Sequence, residues 1–267
     1  MKKQDWKKTK TIYWSDEAHD DFNEVGLSRP SLPEDFKYER DNHFINFFTK
    51  ILYFGLAIPI LGLATIFNGI KVKGRKNLKK VKKQGIFIYS NHVSVSDAFK
   101  IQSRIFPFKM TNILGYSDAL SMPFFKHLVK GLGLIALPTK GDIKNMKKFT
   151  ECFDYFIKKK QNVIIYPEAH IWPYYTKIRN FREGSFLYPS LSLAPIVPIV
   201  TVFRKSKISK KAKQTLLIGE PIFPKEELTV MENKKYLHDE CLKAMQLLSS
   251  SVKQYEYIKY IKKENNN

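Results

Sequence analysis

Three side chains in this sequence have the types and spacing needed to move a proton. His92 and Asp97 stand five residues apart in Ser90-Asn91-His92-Val93-Ser94-Val95-Ser96-Asp97, and Glu168 follows Tyr166-Pro167 far downstream. Imidazole titrates close to neutrality, so His92 could take a proton from a hydroxyl and return it at working pH. A carboxylate beside it would fix which ring nitrogen carries the proton and would stabilise the imidazolium as it forms. Alone, a His-x4-Asp pair reads first as a helix cap next to an ordinary turn histidine, since both types are common in turns. The case for chemistry depends on what surrounds the pair.

The flanking residues predict a strand, a turn and a helix. Gly85-Ile86-Phe87-Ile88-Tyr89 is a short apolar run closed by Ser-Asn, the pattern of a buried strand ending in a polar turn. Asp97 to Phe106 has helical periodicity and stops before Pro107, and Ser94 precedes Asp97 in the Ser-x-x-acid spacing of a helix start. A second apolar run, Asn162 to Tyr166, ends at Pro167-Glu168. Ligands of open α/β sheets collect at the carboxyl ends of strands, so His92 and Glu168, each at such an end, are candidates for one shared pocket. Ile113 to Gly115 and Gly133 to Leu137 are further short strands, with a helix expected over Met122 to Lys130 between them. Between Asp142 and Lys160 the residues Ile143, Met146, Phe149, Phe153, Phe156 and Ile157 recur at helical spacing, an amphipathic helix laid on the sheet. The run Ile196 to Phe203 contains Pro198 where a central strand needs an amide, which predicts an edge strand or a bulge. Arg204 to Lys213 reads as an exposed hairpin tip, and residues 225 to 263 read as helical with a frayed end.

The length of 267 residues suits one large α/β domain with an appendage. Lys and Arg number 46 against 25 acids, net +21, which predicts an anionic partner. Basic and stacking residues are not interleaved on a recognisable reader motif, so nucleic acid is not expected as that partner. Cys152 and Cys241 stand far apart with no Cys-x-x-Cys or His cluster, which argues against a disulfide framework and a metal site and for a reducing compartment. A Gly-x-Ser-x-Gly elbow is also missing, which disfavours a serine hydrolase.

Three segments divide the chain: an arm at 1–41, a membrane-associating segment at 42–83, and an α/β domain at 84–267. The arm carries Pro30 and Pro33 among charged residues and has no apolar core of the kind a signal peptide needs. Ile51 to Ile70 is uncharged and long enough to cross a bilayer. Gly55, Pro59, Gly62, Asn68 and Gly69 leave open a spanning helix, a bent helix in one leaflet, or an apolar helix packed on the domain. From Lys71 to Lys83 there are eight basic residues and no acid, the pattern of a cytoplasmic juxtamembrane cluster facing anionic headgroups.

In order and spacing, Asn91-His92-x-Ser94-x-x-Asp97, Tyr166-Pro167-Glu168 and Pro195-Ile196-Val197-Pro198-Ile199 resemble three of the four sequence blocks of the glycerolipid acyltransferases, the 1-acylglycerol-3-phosphate acyltransferases among them. The likeness covers about residues 84 to 222. It implies an α/β fold with a mixed, largely parallel sheet flanked by helices, and transfer of a fatty acyl group from acyl-CoA or acyl carrier protein to a lysophospholipid hydroxyl, with no cofactor and no metal. It also implies that His92 is the general base and Asp97 its orienting partner. Asn91, Ser94 and Glu168 then belong to the substrate site. Where the family has Gly-Thr-Arg after Pro-Glu, this chain has Ala169-His170-Ile171. The missing arginine makes Lys140, Lys177 and Arg179 the candidates for an acceptor phosphate. It also leaves open a different lipid or polar acceptor, or a lipid-binding protein of the same fold without catalysis.

Overall fold

A computed structural model of the chain describes residues 10–22, 31–39, 42–117, 120, 129, 131–139, 141–206 and 212–263. The expected helix at Met122 to Lys130 except Val129, the hairpin tip at 207–211 and Lys140 lie outside the described residues.

The core of the fold is a seven-stranded sheet. Numbering strands along the chain, β2 (Lys71–Lys73), β3 (Phe87–Ser90), β4 (Thr111–Tyr116), β5 (Leu134–Leu137), β6 (Asn162–Ile165), β7 (Ile196–Arg204) and β8 (Lys213–Ile218) stand in the order β2-β8-β7-β3-β6-β4-β5. All neighbours run parallel except β7 and β8, which form an antiparallel hairpin. The sheet is therefore mixed and largely parallel.

Parallel strands need both faces covered, and the alternation along β3 shows how this is met. Phe87 and Tyr89 point into a core shared with α4 (Ile143–Lys158), through Phe149, Cys152, Phe153 and Phe156, and with α6 (Val230–Ser250), through Leu237, Cys241 and Met245. Ile86, just before the strand, and Ile88 point into a second core with Ala98 and Ile101 of α3 (Asp97–Arg104) and Ile105 just after it. The amphipathic period read across Asp142 to Lys160 thus forms α4, opened by the Asp142 carboxylate accepting the Asn145 amide. Between β6 and β7 lies the short α5 (Leu187–Ser192).

Three sequence expectations are corrected. Pro198 sits inside β7, between β8 and β3, and not on an edge. Its carbonyl accepts from the Gly219 amide just past the end of β8, so the nitrogen of the same residue faces that side too, where the ladder has already stopped. A Cβ on Gly219 would come within 2.8 Å of Pro198 Cγ, so glycine is what lets the ring fit. The α/β domain does not begin at residue 84, because Lys71–Lys73 pairs with β8 as the outermost strand. Within the arm, Thr11–Trp14 forms β1, parallel to β9 (Lys259–Lys262), in a separate two-stranded sheet. Helix α6 accordingly stops at Ser250, where Gln254 turns back to donate to the carbonyls of Ser249 and Thr176.

The apolar segment is helical from His43 to Phe67: α1 (His43–Lys50), a π-helical stretch (Ile51–Ala57) and α2 (Ile58–Phe67). The widened turns precede Pro59, whose missing amide and bulky ring an unbroken α-helix would not accept. Asn46–Phe67 is long and apolar enough to cross a membrane. Only one side of it meets the domain. Tyr53, Ile58 and Thr65 are buried, and the Tyr53 hydroxyl accepts the Thr111 amide at 3.3 Å. Phe44, Phe47, Leu56, Ile60, Leu63 and Phe67 are exposed.

Candidate active site

The sheet register builds the site. β3 and β6 are adjacent and parallel, with Tyr89 opposite Ile165. Three residues further along each chain come His92 and Glu168, and the His92 amide donates to Glu168 Oε2 at 3.2 Å. The shared location expected of the two strand ends is what the structure contains. Asn91 fixes the turn on its other side: its amide group donates to the Thr201 carbonyl at 3.1 Å and accepts from the Thr201 amide at 2.8 Å, extending the β3–β7 ladder with a side chain.

Asp97 is completely buried at the start of α3. Its Oδ2 accepts the amides of Val93 at 2.8 Å and Ser94 at 2.7 Å, and lies 3.5 Å from His92 Nδ1. Its Oδ1 accepts Lys100 Nζ at 2.9 Å. Burial by itself would push this carboxyl up, but the Lys100 ammonium and the His92 contact outweigh it and hold the group below the usual carboxylate range. The helix start read from Ser94 and Asp97 is half of a capping box: the acid reaches back to the Ser94 amide, whereas the Ser94 hydroxyl turns to Ser96 Oγ at 3.0 Å.

The His92 ring keeps 17% of its side-chain surface open. It stacks on Tyr166, with ring centres 4.0 Å apart and planes within 14°. Burial, and then the charge of Asp97, push the Tyr166 hydroxyl far above its ordinary range, so the ring neighbour is a neutral phenol. With Nδ1 held toward Asp97, the other ring nitrogen is the one free to exchange a proton with a ligand.

Glu168 does not offer its carboxylate to a ligand. Oε1 accepts the Arg179 amide at 3.0 Å, and Oε2 accepts the Arg179 guanidinium at 3.1 Å as well as the His92 amide. Arg179 is likewise closed off. It is wholly buried, donates to the carbonyls of His170 and Glu17, and stacks on Trp172, its guanidinium carbon 4.8 Å from the ring centre. The expectation that Arg179 meets an acceptor phosphate is therefore corrected: its charge is spent on Glu168, and no solvent path reaches it. Lys177 is exposed and remains available to an anion.

The loop after Glu168 runs back along the turn, with Trp172 and Tyr174 amides donating to the carbonyls of His92 and Val93. The arm fastens this loop from outside. Trp172 Nε1 donates to the Asp20 carbonyl at 2.7 Å, Asp21 lies 3.3 Å from His170, and Trp14, Phe22 and Tyr260 pack around the Trp172 ring.

Two contributors were missed in the sequence. Lys100 stands three residues after Asp97, a spacing that puts both on one helix face, but in the sequence it shows no role beyond its place in the helical period. Tyr166 was legible as a strand residue and as part of the Tyr166-Pro167-Glu168 block, but not as the ring that stacks on His92.

A family model described as Acyltransferase matches residues 69–202. Among solved structures, the fold is similar to that of the 1-acyl-sn-glycerophosphate (LPA) acyltransferase PlsC from Thermotoga maritima, with a TM-score of 0.52 and 16% sequence identity over 79% of this chain and 84% of that one. No curated protein matches the chain.

Proposed function

This chain belongs to the acyltransferase family, and from that premise we propose that it transfers a fatty acyl group from an acyl thioester, on coenzyme A or acyl carrier protein, to the free hydroxyl of a lysophospholipid. The observation that carries this reading is the largely buried imidazole of His92, one edge still open, held between the buried carboxylate of Asp97 and the Tyr166 ring, with its backbone pinned by Glu168.

In the proposed step the acceptor hydroxyl is the nucleophile. As its oxygen bonds to the thioester carbonyl carbon, the unprotonated nitrogen of His92 takes the hydroxyl proton. The tetrahedral intermediate then collapses, the carbon–sulfur bond breaks, and the leaving thiolate takes the proton from the imidazolium. No acyl-enzyme is needed, because the thioester is already activated and both reactants need only be held together. Asp97 holds the orientation of the His92 ring during this exchange.

The acceptor by resemblance is 1-acylglycerol-3-phosphate. A second reading, a different lipid or polar acceptor, is favoured by one observation: Ala169-His170-Ile171 replaces the family's Gly-Thr-Arg and the nearby Arg179 is consumed by Glu168. The apolar helix supports action at a lipid surface. Tyr53 and Thr65 are both buried although they lie twelve residues apart, about 18 Å along a helix, Tyr53 bonding to Thr111 and α2 packing on α3, so the domain accompanies the helix lengthwise. We place its outer apolar face in one leaflet, on the cytoplasmic side, with the exposed lysines of 71–83 near anionic headgroups.

The test is incubation of the purified chain with labelled acyl-CoA and acyl carrier protein against a panel of lysolipids with and without a terminal phosphate. Acyl transfer should fall about 100- to 10,000-fold in His92→Ala. Transfer to none of the acceptors, or equal transfer by the variant, would overturn the reading.

A further inference from the structure

We propose that Lys100 is a positioning residue of this site, a buried counter-charge that keeps Asp97 neutralised so that the Asp97 carboxylate orients His92 without locking it in the protonated form. Its role in serving a base rests on the reading of His92 given above; the charge balance itself does not.

The geometry is specific. Lys100 has 6% of its side chain exposed, and its ammonium reaches Asp97 Oδ1 at 2.9 Å. Two charges removed from water repay their desolvation only when they meet each other in good geometry. A methionine facing an asparagine would fill this space without that cost, so packing alone gives no reason for an ion pair here.

The division of labour on the carboxylate gives the reason. Oδ2 is already occupied by the Val93 and Ser94 amides, with His92 Nδ1 at the outer limit of a hydrogen bond. Oδ1 belongs to Lys100. The carboxylate is thus fixed in place whichever protonation state His92 adopts, and the ammonium cancels its charge. The other groups facing the imidazole preserve this balance. Tyr166, from the end of β6, is a neutral phenol, and Glu168, from the following loop, is paired with Arg179. His92 is therefore surrounded by two carboxylates and two cations. A carboxylate left alone beside an imidazole would favour the imidazolium, which cannot accept a hydroxyl proton. Lys100 removes that bias.

The chain has six histidines, so histidine-labelled full-length protein in detergent micelles can be titrated by NMR, with the His92 signal assigned by its loss in His92→Gln. In Lys100→Met the titration midpoint of His92 should rise by about one pH unit or more, the size of shift expected from an unpaired carboxylate within a few ångströms. A midpoint that stays in place or falls would overturn the proposal. Should Lys100→Met fail to fold, Asp97→Asn and the double variant Asp97→Asn/Lys100→Met contain no unpaired buried carboxylate. There the midpoint should be lower in Asp97→Asn than in the unsubstituted chain, and removing Lys100 should raise it again. Equal midpoints in those two variants would overturn the proposal. A merely structural lysine would change stability and leave the midpoint alone. The titration uses no substrate, so a chain that acylates nothing while showing these shifts counts against the enzymatic reading and not against Lys100.

Discussion

Replacing Arg179 with methionine separates a surface anion-binding residue from a buried strut. In the structure neither member of the Glu168–Arg179 pair is open to solvent, their side chains being 1% and 0% exposed. Arg179→Met leaves the Glu168 carboxylate buried with the His92 and Arg179 backbone amides for partners and no counter-charge. Removing one member of a buried pair costs about 3–5 kcal/mol. The lost stacking on Trp172 is part of the same event and is not added. At about 2–4 °C per kcal/mol for a chain of this size, the melting temperature should drop by roughly 6–20 °C. Urea unfolding followed by tryptophan fluorescence reads the loss directly, because Trp172 lies against the guanidinium. The pair is a unit, so Glu168→Gln/Arg179→Met should recover much of the stability lost in Arg179→Met alone. A single variant within about 1 kcal/mol of the unsubstituted chain, the range of an exposed pair, would refute the buried-strut account and restore Arg179 as a ligand-facing cation.

Two further outcomes follow from the same region. Ala169 has a φ of 62°, in the left-handed region that costs an L-residue about 1–2 kcal/mol. Ala169→Gly, which restores the residue the family has there, should stabilise the chain by about 0.5–1 kcal/mol after the added freedom of the unfolded glycine is subtracted, measured as a higher urea midpoint; a lower one contradicts it. The second concerns acid. Asp97 is held below its ordinary value near 3.8, so it adds stability that is fully present above that pH and is lost as pH falls through the lower folded-state value. Unfolding followed from pH 6 down to pH 2 should therefore be less acid-dependent in Asp97→Asn than in the unsubstituted chain. An unchanged dependence sinks the assignment.

The catalytic candidates were legible in the sequence because their information is local. Apolar runs ending in Asn91-His92 and Pro167-Glu168 mark strand ends, five residues fix the turn to Asp97, and the order of the blocks carries the family. The same holds for α4, whose period survives in any single-helix reading. What only the tertiary structure decided are the pairings between segments far apart in the chain. Whether Pro198 lies on an edge depends on where β8 ends, a fact of register that its own neighbours do not encode. Whether β1 and β9 exist depends on the two termini meeting, and neither is a strong strand alone. The clearest case is charge. In sequence Arg179 is a candidate for a ligand anion and Lys100 only a member of a helical run, and burial turns each into the counter-charge of one site carboxylate. The ionic role of a side chain is set by what shields it from water and what lies within about 4 Å of it, and both are properties of the folded chain.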